Sequence, residues 1–531
     1  MNVTHRGRSG LMAALACSSL FSMTIASAVS AAPVTAQATP AATVAAAAGS
    51  APVFTPGKCQ FTMSSSANQT EGKTYNCGTV AVPEDHSKPT GKLIQIAVAV
   101  FKSNATSPAP DPAIYLDGGP GGFTLVSASD NLSAFGAILD TRDLIFFDQR
   151  GTGYSTPSLY CSELTQLDHD LLAVELSPTE GAKRYTDASL ACQKRLVGQG
   201  IDLSLYNTDQ DAADVNAIRQ ALGYKTLNLY GISYGTLLGL AIMRDFPAGV
   251  RSAVLDSNVP PEQAMEVGQI AATNRVFNQL FNGCKADAGC NQAYPNLEKV
   301  FYATVDKLNK NPVVVSAPDP NDNKNYKVAI DGNAFQNIIF QIFYLTDQIP
   351  YLPAAIYGAS RGNLTNLASI NLFFVDEDKT FSVGMQYSVN CRERVAYETM
   401  DQVTKAATGL PQQLLDNQLP SLQGEFDVCA AWGAGKAPAS DEQPIKSSIP
   451  ALVMAGSYDP VTPPAYSKQV AQDLGNAQYV EIPNSGHGAS IGSSDCNFSL
   501  VTSFFNAPTQ KLDTSCVNSI GAPQWKTPSS Q

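Results

Sequence analysis

The sequence predicts a mostly parallel α/β sheet with helices on both of its faces. Two observations support this fold class: short continuous apolar runs recur along the chain, and helix-like segments such as 211–223 and 237–246 lie among them. Strands buried on both faces have uninterrupted apolar runs, and their alternation with helices favours parallel pairing. The predicted strands lie within residues 93–103, 113–119, 143–151, 226–231, 251–260, 449–460 and 477–487.

The strand–helix alternation stops between Pro260 and about Gln443. That stretch is richer in Asn, Gln and Tyr, contains four cysteines and has mostly helical apolar spacing. We therefore expect a largely helical cap domain over residues 261–443, inserted before the strand that carries a candidate catalytic aspartate. Residues 53–260 and 444–531 are then the two parts of one core.

The N-terminus has the pattern of a secretory signal peptide over residues 1–32, with basic residues, an apolar run and small residues suited to cleavage. Residues 33–52 are rich in Ala, Thr and Pro and predict a flexible spacer. A retained membrane anchor is the alternative, although Ser and Thr dilute the run. Cys17 suggests lipid attachment, but the apolar stretch before it is short. We expect a secreted or periplasmic protein with no stable membrane insertion.

The formal charge of −12 and the lack of a basic run argue against nucleic acids as partners. The sequence does not indicate an oligomeric state.

Ten of the eleven cysteines remain after the signal peptide is removed, and an even number in an exported chain predicts disulfides. Because short loops close most easily, we expect neighbours along the chain to pair. The expected bonds are Cys59–Cys77, Cys161–Cys192, Cys284–Cys290, Cys391–Cys429 and Cys496–Cys516. No CxxC pair occurs, so we predict no metal site, and no motif suggests a cofactor.

The stretch GISYG at 231–235 follows one apolar run and precedes a helical one. A serine between two glycines at a strand-to-helix corner is typical of a nucleophile elbow, which presents Ser233 as a nucleophile. The alternative is a serine that caps the helix in a glycine-rich turn.

A serine nucleophile needs a base, and the base needs an orienting carboxylate. His487 lies in a glycine-rich loop after a predicted strand, which makes it the candidate base, although a structural role is the alternative. Asp459 directly follows the strand before that loop and is the candidate acid. Asp256, also at a strand end, is the competing acid. The order Ser, Asp, His favours Asp459 and an α/β-hydrolase fold.

An oxyanion hole requires two backbone N–H groups. One would come from Tyr234, directly after the nucleophile. The other would come from the loop DGGPGG at 117–122, from Gly119 or alternatively Gly118. Taken alone, this loop could be a plain Gly-Pro turn.

These motifs resemble secreted tripeptidyl aminopeptidases and proline iminopeptidases, which are α/β-hydrolase serine peptidases. DGGPGG is similar to their HGGPG loop, with Asp117 where His is usual, and 148–155 (DQRGTGYS) is similar to another of their segments. The resemblance covers roughly residues 55–520. It implies an exported aminopeptidase that releases an amino acid or short peptide from a free N-terminus.

Two alternatives remain: a secreted carboxylesterase that acts on small esters with the same triad, and a non-catalytic binding protein of the same fold.

An aminopeptidase must recognise an ammonium group, and the candidate carboxylate in the cap is Glu393, close to Cys391. The acidic run 376–378 is an alternative, and Glu393 could instead pair with Arg392 or Arg394 on the surface.

Overall fold

The computed structural model describes residues 52–377, 380–492 and 494–528 of the 531-residue chain. The predicted signal peptide and all but the last residue of the predicted spacer therefore lie outside the described residues. Within those residues, no helix combines the length and the apolar character needed to cross a membrane.

In the described part of the chain, nine strands form one sheet in the order β1-β2-β3-β5-β4-β6-β7-β10-β11. The strands from β5 to β11 in this order pair in parallel, whereas β1, β2 and β3 pair antiparallel at one edge. The eleven strands are β1 (Phe54–Gly57), β2 (Tyr75–Pro83), β3 (Leu93–Phe101), β4 (Ala113–Leu116), β5 (Leu144–Phe147), β6 (Leu227–Ile232), β7 (Val250–Asp256), β8 (Val313–Pro318), β9 (Asn325–Ile330), β10 (Ser447–Gly456) and β11 (Gly475–Ile482).

Helices cover both faces of this sheet, and each face packs its own apolar cluster. The α-helices are α1 (Ala128–Phe135), α2 (Ser162–Leu171), α3 (Pro178–Gly198), α4 (Thr208–Ala221), α5 (Tyr234–Asp245), α6 (Met265–Ala286), α7 (Ala288–Ala293), α8 (Leu297–Lys310), α9 (Gly332–Ile342), α10 (Leu352–Ser360), α11 (Thr365–Glu377), α12 (Val383–Glu393), α13 (Met400–Ala406), α14 (Gln412–Trp432), α15 (Pro464–Leu474) and α16 (Asp495–Asn506).

The predicted fold class is confirmed because every predicted strand corresponds to a strand of the large sheet. The central strands β4, β5 and β6 are buried along their whole length, which explains their uninterrupted apolar runs. The sequence did not predict β1 and β2.

Residues 261–443, called the inserted segment below, connect β7 to β10, which pair directly in the sheet. This segment contains helices α6 to α14 and an apolar cluster around Phe277, Phe301 and Phe335. It also contains the antiparallel pair β8–β9, where the sequence predicted mainly helices.

All five disulfides have the predicted pairing. Cys496–Cys516 joins the start of α16 to the C-terminal tail, and Cys391–Cys429 joins α12 to α14 within the inserted segment.

The carboxyl ends of the parallel strands meet at one edge of the sheet. Ser233 follows β6, Asp459 follows β10 and His487 follows β11, while the loop 117–122 follows β4. Ligands of open α/β sheets bind at this edge, so the fold places the predicted groups where chemistry can occur.

Candidate active site

Ser233 lies at the sharp corner between β6 and α5, with φ 58° and ψ −127°. A side chain at either flanking glycine would collide with backbone atoms. A Cβ on Gly231 would lie 2.3 Å from the Gly235 carbonyl oxygen, and one on Gly235 would lie 1.9 Å from the Leu116 carbonyl oxygen. The glycines therefore permit the strand and helix to approach closely and leave Ser233 at the tip of the turn.

His487 and Asp459 form a hydrogen-bonded pair, with 2.9 Å between His487 Nδ1 and Asp459 Oδ2. A carboxylate can only accept, so Nδ1 carries the proton and Nε2 of the neutral ring is free to accept one. Asp459 also accepts hydrogen bonds from the Val461 and Thr462 N–H groups and from Thr462 Oγ1, at 2.7–2.9 Å. These contacts fix the carboxylate and hence the orientation of the ring.

The pair also shifts the pKa of each partner. Burial alone would raise the pKa of the Asp459 carboxyl, but His487 and the Thr462 hydrogen bonds hold it below its usual range. Burial opposes a charge on His487 as well, yet the Asp459 carboxylate and its hydrogen bond raise the imidazole pKa overall. The arrangement therefore stabilises an imidazolium ion, which a general base becomes when it takes a proton from serine.

Two backbone N–H groups of residues that line the same cavity as Ser233 are candidate donors to an oxyanion. Within the described residues, the Tyr234 and Gly119 N–H groups have no hydrogen-bond acceptor. The Gly118 N–H, in contrast, donates to Asp117 Oδ1 at 2.8 Å. A Cβ on Gly118 would lie 3.1 Å from Ser233 Cβ, so the loop passes directly over the serine. The geometry favours Gly119 over Gly118 as the second donor.

Ser233, His487, Gly119 and Tyr234 line a cavity of about 660 Å³. The described residues contain no hydrogen bond between Ser233 Oγ and the His487 ring, a contact that is often long in enzymes without substrate. The inserted segment contributes further lining residues, including Phe381, Tyr344, Glu266 and Glu425. The cavity thus brings a serine, an oriented imidazole and free N–H donors together.

The sequence model of the alpha/beta hydrolase fold family matches residues 114–493, which is most of the chain. The chain belongs to the alpha/beta hydrolase family.

Three curated relatives of this hydrolase have names that indicate an activity. Serine protease Hip1 of Mycobacterium tuberculosis is 27% identical over 428 residues, which cover 75% of this chain and 79% of the relative. Carboxylesterase B of the same species is 28% identical over 467 residues, which cover 83% and 85%. Tripeptidyl aminopeptidase of Streptomyces lividans is 33% identical over 204 residues, which cover 36% of each chain. The chain is therefore a serine hydrolase, and its resemblance to tripeptidyl aminopeptidases is confirmed.

Asp256, the competing acid, does not hydrogen-bond to His487 as Asp459 does. Its carboxylate accepts hydrogen bonds from the Ala489 and Ser490 N–H groups at 3.0 and 2.7 Å, and also from the Ser490 hydroxyl. It therefore holds the backbone that follows His487 rather than the imidazole ring. Burial raises the pKa of Asp256, in contrast to that of Asp459.

The structure does not bring Glu393 to the cavity, which corrects the sequence prediction. Its carboxylate accepts hydrogen bonds from the Thr208 N–H at 2.8 Å and from Thr208 Oγ1 at 2.5 Å. Thr208 is the first residue of α4, where unpaired N–H groups and the helix dipole favour a negative charge. Glu393 does not line the cavity and stabilises the start of this helix instead.

Sequence reasoning missed Glu266 and Glu425, the two carboxylates of the inserted segment that line the cavity. A signal for Glu266 was present in the sequence. It shares one face of α6 with the buried residues Ile270, Thr273 and Phe277, so a charged side chain stands where the helical period predicts an apolar one.

Proposed function

We propose that this hydrolase is an exported aminopeptidase that releases an amino acid or a short peptide from free N-termini. The observation that carries the proposal is the pair of glutamates, Glu266 and Glu425, in the same cavity as Ser233. The inserted segment would then act as a cap domain that recognises the chain end, and the five disulfides are compatible with a secreted or periplasmic location.

The two glutamates have the environment of an ammonium site. Glu266 is 8% exposed, and within the described residues no donor hydrogen-bonds to its carboxylate. Burial raises its pKa well above the usual range, and the charge of Glu425 raises it further. Burial also raises the pKa of Glu425 to about 7, although the Asn390 amide hydrogen-bonds to it. A cation between the two would offset both the burial and their mutual repulsion.

The guanidinium of Arg394 acts on Glu266 through its charge but donates no hydrogen bond to either glutamate within the described residues. Arg394 lines the cavity and lowers the pKa of Glu266, but its Nη1 donates to the carbonyl oxygens of Pro260 and Pro261, at 3.3 and 3.0 Å. A substrate ammonium group supplies the missing positive charge together with three donors.

The proposed reaction begins when Ser233 Oγ attacks the carbonyl carbon of the scissile bond. His487 Nε2 accepts the serine proton, while the Gly119 and Tyr234 N–H groups donate to the oxygen that becomes negative. His487 then gives its proton to the leaving amine, which leaves an acyl-enzyme. Water, deprotonated by the same imidazole, attacks this ester and releases the N-terminal fragment.

The second candidate function is a carboxylesterase, which the similarity to Carboxylesterase B favours. An esterase would use the same serine, histidine and aspartate but would not need a cation site. The two functions therefore differ in what a free amino group does to the rate.

The deciding experiment compares three chromogenic substrates on the purified protein: a tripeptidyl anilide, its N-acetylated form and a short-chain acyl ester. An aminopeptidase is expected to cleave the free tripeptide at a much higher kcat/KM than the blocked one, because acetylation removes the ammonium charge. Single-residue anilides extend the series to the length of the released group. Equal rates on free and blocked peptides, with faster ester cleavage, would contradict the proposal and support the esterase.

A further inference from the structure

A short stretch of the inserted segment, Thr380–Ser382, pairs with the loop that carries Gly119. The Ser382 N–H donates to the Gly121 carbonyl oxygen at 2.8 Å, and the Phe123 N–H donates to the Thr380 carbonyl oxygen at 3.0 Å. These bonds make an antiparallel bridge between Gly122 and Phe381. The loop that carries Gly119 is thereby hydrogen-bonded, as one strand is to another, to a stretch of the inserted segment.

Ser382 is also fixed on its other side. It is fully buried, and its hydroxyl donates to the Gly151 carbonyl oxygen at 2.9 Å. The same residue precedes α12, and its Oγ accepts from the Met385 N–H at 3.3 Å. The bridge is consequently attached both to the core and to a helix of the inserted segment.

The glycines of the loop allow this approach. Gly119 and Gly121 have φ values of +115° and +124°, which disfavour any other residue. A Cβ on Gly119 would lie 2.8 Å from Cε2 of the Phe381 ring, and one on Gly121 would lie 2.5 Å from the Ser382 carbonyl oxygen. The Phe381 ring therefore lies directly against Gly119, a cavity-lining residue whose N–H is the candidate oxyanion donor.

We propose that Phe381 and Ser382 are positioning residues of the oxyanion hole. Asp117 holds the Gly118 N–H on one side of the loop, and the bridge with its ring holds Gly119 and Gly121 on the other. An oxyanion donor contributes only when its direction is fixed before the reaction, and small displacements of catalytic groups cost large factors in rate. The inserted segment therefore completes the catalytic machinery of the core, in addition to its proposed binding of the ammonium group.

The test compares Phe381→Ala and Phe381→Leu with Phe374→Leu in the full-length protein. Phe374 is a half-buried aromatic residue of α11 in the inserted segment and does not line the cavity, so it controls for general loss of packing. The readouts are the inactivation rate with a fluorophosphonate, whose phosphoryl oxygen occupies the oxyanion position, and kcat and KM with an ester or anilide.

Phe381→Ala is expected to lower both kcat and the inactivation rate by about 10- to 100-fold, less than deletion of a donor, with KM unchanged. Phe381→Leu should recover most of the loss because it retains an apolar side chain over Gly119. Phe374→Leu should leave both rates unchanged.

A rise in KM with kcat and inactivation unchanged would overturn the proposal and make Phe381 a substrate contact. Equal losses in Phe381→Leu and Phe374→Leu, with a matching fall in Tm, would also overturn it, because the effect would then be on folding. The inference rests on the proposed role of Ser233 but not on the substrate class. Fluorophosphonates react with esterases and peptidases alike, so a failure of the aminopeptidase proposal would leave this test intact.

Discussion

The strand ends of the core place buried carboxylates behind the catalytic loop, and the inserted segment places buried carboxylates in the cavity wall, with very different partners. Asp459 and Asp256 each accept hydrogen bonds from several backbone or side-chain donors of neighbouring loops. Glu266 accepts none within the described residues, and Glu425 interacts with one amide. Carboxylates with full sets of donors orient other groups, whereas those without can bind a ligand.

This difference separates variants into two classes. Changes at Ser233 or at the Asp459–His487 pair should slow the cleavage of every substrate, because they affect the reacting atoms. Changes at Glu266 or Glu425 should affect only substrates with a free amino group.

The largest effect is expected for Ser233→Ala, which should lower kcat about a million-fold on anilides and esters alike. The fold should be retained because alanine fits the same turn. Rates on both substrate types and labelling with a fluorophosphonate would check this. If the variant is still labelled, Ser233 is not the nucleophile.

The next effect distinguishes the two aspartates. Asp459→Asn should reduce kcat about 10⁴-fold, because an amide in place of the carboxylate favours the wrong tautomer of His487. Asp256→Asn should act mainly on stability and cost about 1–3 kcal/mol, because one acceptor oxygen facing the Ser490 N–H is lost. Chemical denaturation together with kcat would separate the two, and a larger loss of kcat in the Asp256 variant would reverse the assignment.

Glu266 of α6 and Glu393 of α12 provide a variant and its matched control, because both are buried glutamates and only Glu266 lines the cavity. Glu266→Gln should raise KM for a free tripeptidyl anilide about 10- to 100-fold, since a charge-assisted hydrogen bond contributes about 1.5–3 kcal/mol. KM for an ester should be unaffected. Glu393→Gln is the control, because its contacts with Thr208 predict a loss of stability but no dependence on the amino group. A similar rise in KM in both variants would remove Glu266 from the proposed site.

A smaller effect follows from pH. The raised pKa of His487 means that the ring is protonated at and below its ordinary value of about 6.5, so kcat/KM should fall as the pH drops, with a midpoint above that value. Glu425, with a pKa of about 7, is neutral at lower pH, so KM for free-amino substrates should rise there as well. With ester substrates, kcat/KM should still fall as His487 is protonated, but KM should not change as Glu425 is protonated. The pH profiles of both substrates would measure this, and a flat peptide KM would contradict the role of Glu425.

The smallest effect on activity is expected from Cys496→Ser/Cys516→Ser. Removal of the bond that joins α16 to the C-terminal tail should lower the free energy of unfolding by about 3 kcal/mol. The reason is that the unfolded chain, no longer closed into a loop by this bond, gains conformational entropy. Ser233, Asp459 and His487 are held by other contacts, so kcat should stay unchanged below the melting transition. Thermal unfolding and kcat should be measured on the same preparation. A fall in kcat at temperatures below the unfolding transition would indicate a catalytic role for this bond.

The core and its reactive groups could be predicted from the sequence because local patterns determine them. The small residues around Ser233 are visible as a local GxSxG pattern, Asp459 follows the buried apolar end of β10, and His487 lies in a glycine-rich loop after β11. The sequence named Gly119 as the second donor but left Gly118 open, because the difference between them depends on a hydrogen bond from the Gly118 N–H to the Asp117 side chain.

The inserted segment could be predicted only as mostly helical. Which face of α6, α12 or α14 lines the cavity depends on how these helices pack on one another, and no periodic pattern records that. Glu393 was therefore assigned to the cavity although its carboxylate contacts α4. The β8–β9 pair was missed because β8 is exposed at most positions and lacks a regular alternation of buried and exposed residues.

The order of the strands also determines when the chain can react. Ser233 is followed by the whole inserted segment before β10 joins β7, and the base comes later still, after β11. A chain still being synthesised, or one cut before residue 447, has its serine without histidine or aspartate. Long-range pairing of this kind is among the slower steps of folding. A hydrolase built in this order lacks its base and the partner of that base until its C-terminal part has folded.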